Sequence, residues 1–307
     1  MSLILSPAPH VRTKNTTQRL MLNVVISLLP CAAAGIYYFG LRAAIVLAVS
    51  VVSAVLAELV WQKLAHQTVR INDFSAVVTG LLLGLCITPS APWWMVMIGA
   101  FFAIIVVKQL FGGIGDNFLN PALTARAVLL ASWPALMTTH CTPFDAVTSA
   151  TPLMTGEAST MQLLLGDVPG AIGETCKVAI LLGFVYLLVT QTIRWEIPVF
   201  TVAAAALLSW ALGLDPLTTV LSGGLLFGAV YMATDYVTSP FTTKGKLFYG
   251  VFIGLVTFLI RNFASMNEGM SFAILLGNLM TPWFNAWGHQ TPLGYKKPQK
   301  AAKGGKE

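Results

Sequence analysis

Residues 20–39 read LMLNVVISLLPCAAAGIYYF and residues 43–61 read AAIVLAVSVVSAVLAELVW, two almost unbroken apolar runs separated only by Gly40, Leu41 and Arg42. As helix, each is long enough to cross the roughly 30 Å hydrocarbon core of a bilayer, which takes about 20 residues at 1.5 Å apiece. Helix is the conformation to expect, because lipid offers no partner to a backbone N–H or C=O left unpaired. Outward from this pair, apolar runs recur near 75–88, 92–111, 121–137, 176–193, 197–213, 218–235, 247–263 and 269–286. The expected fold is therefore an all-α polytopic membrane protein with about ten transmembrane helices. The third and fifth runs are short for a full crossing, and the third stops at Thr88-Pro89-Ser90-Ala91-Pro92, where proline removes donors. Broken or half-length helices are expected there.

Composition excludes an ordinary soluble domain: 56% of the residues are hydrophobic and 10% charged, against roughly 25% charged in soluble proteins. The net charge of +6 is not read as a nucleic-acid footprint, because its largest block is Lys296, Lys297, Lys300, Lys303 and Lys306, beside the end of a span. It is a topology signal. With both termini in the cytoplasm, those lysines together with Arg12, Lys14, Arg19, Lys63, Arg70, Lys108, Arg194, Lys244 and Lys246 all face inward, leaving only Arg42, Lys177 and Arg261 outside. Arg126 falls within the fifth span. Residues 138–175 are then one long extracytoplasmic loop, between five-helix units at 20–137 and 176–286, flanked by a cytoplasmic segment 1–19 and a basic tail 287–307.

Gly80-Leu-Leu-Leu-Gly84 in the third run resembles Gly224-Leu-Leu-Phe-Gly228 in the eighth. Two five-span units are necessarily inverted, and inverted repeats place sites near the midplane where they meet; glycine and leucine also coincide by chance in membrane helices. The cysteines Cys31, Cys86, Cys141 and Cys176 form no CxxC or Cys/His cluster, so no metal site is expected from this chain alone.

The loop carries Asp145-Ala-Val-Thr148-Ser149-Ala150-Thr151-Pro152-Leu153. This string resembles the motif that flavin transferases modify by esterifying the phosphate of FMN to its last threonine, and Thr151 is the matching acceptor. A polar, proline-bounded loop outside the membrane is reachable by a separate enzyme. Three further segments, Lys108-Gln-Leu-Phe-Gly112-Gly113-Ile-Gly115-Asp116-Asn117-Phe-Leu-Asn120-Pro121-Ala122, Gly166-Asp-Val-Pro-Gly170-Ala-Ile-Gly173-Glu174 and Thr234-Asp235-Tyr-Val-Thr238-Ser239-Pro240, together with Ala91-Pro92-Trp93-Trp94, resemble the RnfD/NqrB family of membrane subunits of ion-pumping redox complexes. The likeness runs from about Gln18 to Pro282, and the chain's length favours the Rnf branch. It departs from the family at Ser149, often glycine, and Tyr236, often proline.

The resemblance implies a subunit of an Rnf complex, a ferredoxin:NAD⁺ oxidoreductase that translocates Na⁺ or H⁺ and is not active as this chain alone. It implies covalent FMN on Thr151, non-covalent riboflavin in the membrane body, other membrane and peripheral Rnf subunits as partners, a flavin transferase for maturation, and ferredoxin and NAD reached through those partners. The implied location is the inner cell membrane. Asn117 and Asn120 are the candidates to meet the riboflavin ring. Read physically, Gly112–Pro121 is a turn leading into a helix that starts at proline; such a start binds an anion or a flavin edge, or simply begins a helix. Ionisable groups in or near spans need a reason to be there. Glu58, Asp73, Asp116, Arg126 and Asp235 either line a cytoplasmic ion vestibule or, in the structural reading, Arg126 neutralises Asp116 or Asp235. The alternatives in function are a cofactor-free channel or transporter and a structural membrane anchor.

Overall fold

The computed structural model describes residues 16–144, the backbone of 148–149, and residues 159–264 and 269–288. Asp145, Ala150 and Thr151 lie outside the described residues.

The two runs that opened the sequence form α1, Thr17–Leu64, 48 residues of helix interrupted at Gly40. Thr16 caps its start, accepting from Arg19 N–H at 3.3 Å. Gly40 has φ +63° and ψ −147°, and a methyl group there would meet nothing within 4 Å, so backbone conformation and not space calls for glycine. The chain folds back at this residue. Gly35 abuts Ile172, whose N–H donates to Ile87 O, while Leu47 and Ser50 abut Gly84, so the two arms run side by side.

Helix α2, Ser75–Leu85, lies along the second arm of α1. Its eleven residues span about 16 Å, half a bilayer, as the proline-bounded third run suggested. Then follow α3, Trp93–Phe101, continued by wide π turns over Phe102–Gln109, and α4, Pro121–Ser132, with α5, Pro134–Thr138. The fifth run is thus broken at Trp133-Pro134. A short antiparallel ladder, β1 (His140–Cys141) against β2 (Thr148–Ser149), pairs His140 with Ser149 and Cys141 with Thr148, an addition to the all-helical expectation. Beyond it lie α6, Thr160–Leu165, then α7, Lys177–Val189, and α8, Glu196–Ala211.

The eighth run was expected whole and is not. It divides into α9, Pro216–Leu221, and α10, Leu225–Phe227, which passes into wide turns over Gly228–Met232. The break falls at Ser222-Gly223-Gly224, and a methyl group on Gly224 would stand 2.4 Å from Glu174 Oε1, so a buried carboxylate occupies the space a side chain would need. Broken helix leaves carbonyls that lipid cannot satisfy. Here two cations satisfy them: Arg261 donates to Thr219 O at 2.9 Å and Ser222 O at 3.1 Å, and Lys177 Nζ donates to Gly223 O at 2.8 Å and to Glu174 O. Helices α11, Thr243–Phe263, and α12, Met270–Trp287, complete the described chain.

Helices α1 and α11 are by themselves long and apolar enough to cross a membrane. The distribution of side chains is inside out for a soluble protein. Val189 is 77% exposed and Trp210 73%, whereas Glu58, Lys108, Arg126, Glu174 and Lys177 are buried. An apolar exterior around a charged interior suits lipid as the surrounding solvent.

Candidate functional site

Asn120 begins the site. As N-cap of α4 its Oδ1 accepts from Ala122 N–H at 3.1 Å and Leu123 N–H at 3.2 Å, with Pro121 preset at the first helical position. Its Nδ2 donates to Met232 O at 3.3 Å, at the end of the wide turns after α10. In the amide orientation that satisfies both ends of Asn278, the Asn278 oxygen accepts the Asn120 backbone N–H at 3.2 Å. One side chain therefore joins α4 to the broken eighth run. Asn117, three residues earlier, is buried and donates to Leu119 O at 3.1 Å.

Both asparagines line one cleft. Its exposed wall is mostly apolar, from residues such as Val24, Leu82, Leu187 and Val230, and polar side chains including Ser75, Thr79, Lys108, Asn117 and Asp235 interrupt it. An apolar cleft with a small number of placed donors and acceptors is the general form of a cofactor site. Both ends of the Asn120 amide are engaged by the chain, so its work there is to hold the walls in register. Asp235 accepts from Thr238 Oγ1 at 3.1 Å. Just outside the run that ends in Asp235, burial pushes the Tyr236 phenol up to about 12, with the Asp235 charge adding to it.

A second, more polar cleft lies beside the first, lined by Glu58, Gln62, Arg70, Asp73 and Gln109, among others. Glu58 is 1% exposed, and its Oε1 accepts from Lys108 Nζ at 2.8 Å, Gln109 Nε2 at 2.7 Å and Gln62 Nε2 at 3.4 Å. Its Oε2 has no hydrogen-bond partner among the described residues. Asp73 Oδ1 accepts from Ser75 N–H at 2.9 Å and Ser75 Oγ at 2.7 Å, anchoring the start of α2. Lys108 Nζ reaches Ser75 Oγ as well, at 2.6 Å.

The structure thus brings Glu58 and Asp73 to one cleft and Asn117, Asn120 and Asp235 to another. Asp116 joins neither lining; it sits exposed in the glycine-rich turn, against Gly112. The expected pairing of Arg126 with Asp116 or Asp235 is replaced: Arg126 lies 3.5 Å from Glu174 Oε1 and donates to Ser271 Oγ. The reason is tertiary, since the loop carrying Glu174 turns inward, where Ile172 and Gly173 N–H bond the carbonyls of Ile87 and Leu85 at the end of α2. Lys108, expected simply to face the cytoplasm, is 3% exposed. A lysine and a glutamate closing two separate apolar runs were the available signal for that pair.

A model of the NQR2, RnfD, RnfE family matches residues 4–294. The D subunit of the Na⁺-translocating ferredoxin:NAD⁺ oxidoreductase complex of Acetobacterium woodii is 44% identical, covering 99% of this chain and 99% of its own. The D subunit of the proton-translocating ferredoxin:NAD⁺ oxidoreductase complex of Clostridium ljungdahlii is 36% identical, with 95% and 96% covered. The D subunit of the ion-translocating oxidoreductase complex of Erwinia tasmaniensis is 35% identical, with 97% and 99% covered.

Proposed function

This chain belongs to the NQR2, RnfD, RnfE family, a membrane subunit of a multisubunit redox enzyme, and on that footing we propose that it relays electrons between two flavins inside an Rnf-type ferredoxin:NAD⁺ oxidoreductase complex and helps couple that flow to cation transport. What carries the reading is the coincidence of full-length likeness to D subunits with the Asp145–Thr151 acceptor string. The Thr151 hydroxyl forms the phosphoester to FMN, and Asp145, Thr148, Ser149 and Ala150 present it to a flavin transferase. The second flavin is riboflavin, held in the cleft between Asn117 and Asp235. What supports this is the cleft's lining: aliphatic side chains such as Val24, Leu82, Leu187 and Val230 suit the apolar face of a ring, and Asn117 and Lys108 bring an amide and an ammonium to the same lining. A bound flavin supplies one- and two-electron transfer; the residues hold its depth, orient its edge and exclude water.

The proposed arrangement is about ten spans with both termini cytoplasmic, residues 138–175 outside, and two inverted five-span units at 20–137 and 176–286. A detail of the packing supports the repeat. Ser75 and Thr219 each stand five residues before the first glycine of the matched strings, Gly80 and Gly224. In each half a cation from the next run reaches that position, Lys108 to Ser75 Oγ and Arg261 to Thr219 O. The relatives named above differ in the ion their names state, so Na⁺ and H⁺ both belong to the proposal.

The test is direct. Protein made with a flavin transferase and run denatured on a gel is expected to fluoresce under ultraviolet light, and Thr151→Ala to lose the band. Solvent extraction of the native protein is expected to release free riboflavin, and Asn117→Leu to lose most of it while keeping the covalent band. A cofactor-free channel predicts neither flavin, and a fluorescent Thr151→Ala band sinks the acceptor assignment.

A further inference from the structure

We propose that Lys108 is a charge shared between the two clefts, and that its withdrawal from Glu58 opens a binding site for one monovalent cation at Glu58 and Asp73. The inference rests on the function proposed above for its redox half; the cation site stands on the packing of the second cleft.

Lys108 belongs to the lining of the first cleft and Glu58 to that of the second. The ammonium is the contact between them, 2.8 Å from Glu58 Oε1 and 2.6 Å from Ser75 Oγ, and Ser75 itself faces the first cleft. Two unit charges in a site this dry attract far more strongly than in water. A negative charge arriving in the first cleft, as on a reduced flavin ring, therefore competes with Glu58 for one ammonium. The lysine has three donors and a flexible stem, so its ammonium turns from one partner to the other.

Glu58 would then be a buried carboxylate without a countercharge, which is a costly state. Its surroundings already have the character of a cation site. Among the described residues Oε2 is unpartnered, and Asp73 contributes a second carboxylate to the same cleft. Hard oxygen ligands of this kind suit a small cation. The other charged group in the lining is Arg70, which is exposed, with its Nε bonded to Thr68 Oγ1 at 3.3 Å, and so does not substitute for Lys108 at Glu58. Charge balances across the event: two electrons and one proton added to the flavin put one net negative charge in the first cleft, Lys108 turns to it, and one cation enters the second. A pump requires this differential affinity between states.

The experiment is a redox titration of the non-covalent flavin in full-length Thr151→Ala protein, at constant ionic strength with choline replacing sodium. One cation taken up per two-electron reduction raises the potential by about 30 mV for each tenfold rise in that cation. A slope in sodium at fixed pH identifies Na⁺. If instead the proton occupies Glu58, the pH slope at fixed sodium falls by about 30 mV per pH unit in Glu58→Gln relative to the unmutated residue. Potentials that respond identically with and without Glu58→Gln overturn the proposal. A second arm needs no flavin: Lys108→Met frees Glu58 permanently, so its melting temperature is expected to climb with sodium over choline by about 2 °C or more, and Lys108→Met with Glu58→Gln to lose that response. A chain that binds no flavin refutes the electron-relay function and the redox half together, while sodium-independent melting of Lys108→Met refutes the cation site by itself. Should Lys108→Met fail to fold, the Glu58→Gln titration alone decides.

Discussion

Arg126 illustrates what one residue does in this interior. Buried with Glu174 at 3.5 Å and bonded to Ser271, it offsets a carboxylate that itself fills the space beside Gly224. Removing one member of such a pair takes a countercharge away from the other in a buried site. Arg126→Met is therefore expected to destabilise by about 3–5 kcal/mol, and the double replacement Arg126→Met with Glu174→Met to recover much of the loss. Thermal unfolding in detergent with a double-mutant comparison measures it. Equal damage in single and double variants would show that Glu174 is held by other partners.

At the scale of elements, the half-length helix α2 depends on close approach. Ser50 Oγ donates to Gly80 O at 2.7 Å, and a methyl group on Gly80 would stand 2.8 Å from Val51 Cα. Gly80→Leu is expected to push α2 off α1, disturb the Ser75–Lys108–Glu58 cluster at its start, and lower both melting temperature and non-covalent flavin content. Gly40 makes a contrasting control. Gly40→Ala meets no neighbour but must hold φ +63° and ψ −147°, a region that essentially only glycine occupies, so a cost of about 1–3 kcal/mol with flavin content retained is expected. Melting curves and flavin extraction on the two variants separate steric separation of helices from local backbone strain.

For the whole molecule, the decisive measurement is sidedness. Single cysteines introduced at positions 155 and 300, in a background where the native cysteines are replaced by serine or alanine, are expected to react with an impermeant maleimide from opposite sides of sealed membranes, the first from outside and the second from inside. Both reacting from one face would remove the inverted arrangement and, with it, the separation of two flavins by depth.

Much of this was legible in the sequence. Apolar runs long enough for lipid, the cationic bias of their flanks, the proline stop at Pro89 and Pro92, and the N-cap at Asn120 are all local, since each depends on a residue and its chain neighbours. The loop motif and the family likeness were legible for the same reason, as order along the chain. What only the tertiary structure decided is which charge meets which. Glu58 and Lys108 are 50 positions apart, Arg126 and Glu174 are joined through a loop that folds inward, and Glu174 and two cations meet at the break in the eighth run. Hydropathy along a chain says that a charge is buried in apolar company. Its partner is set by how distant helices pack, and no local pattern carries that information.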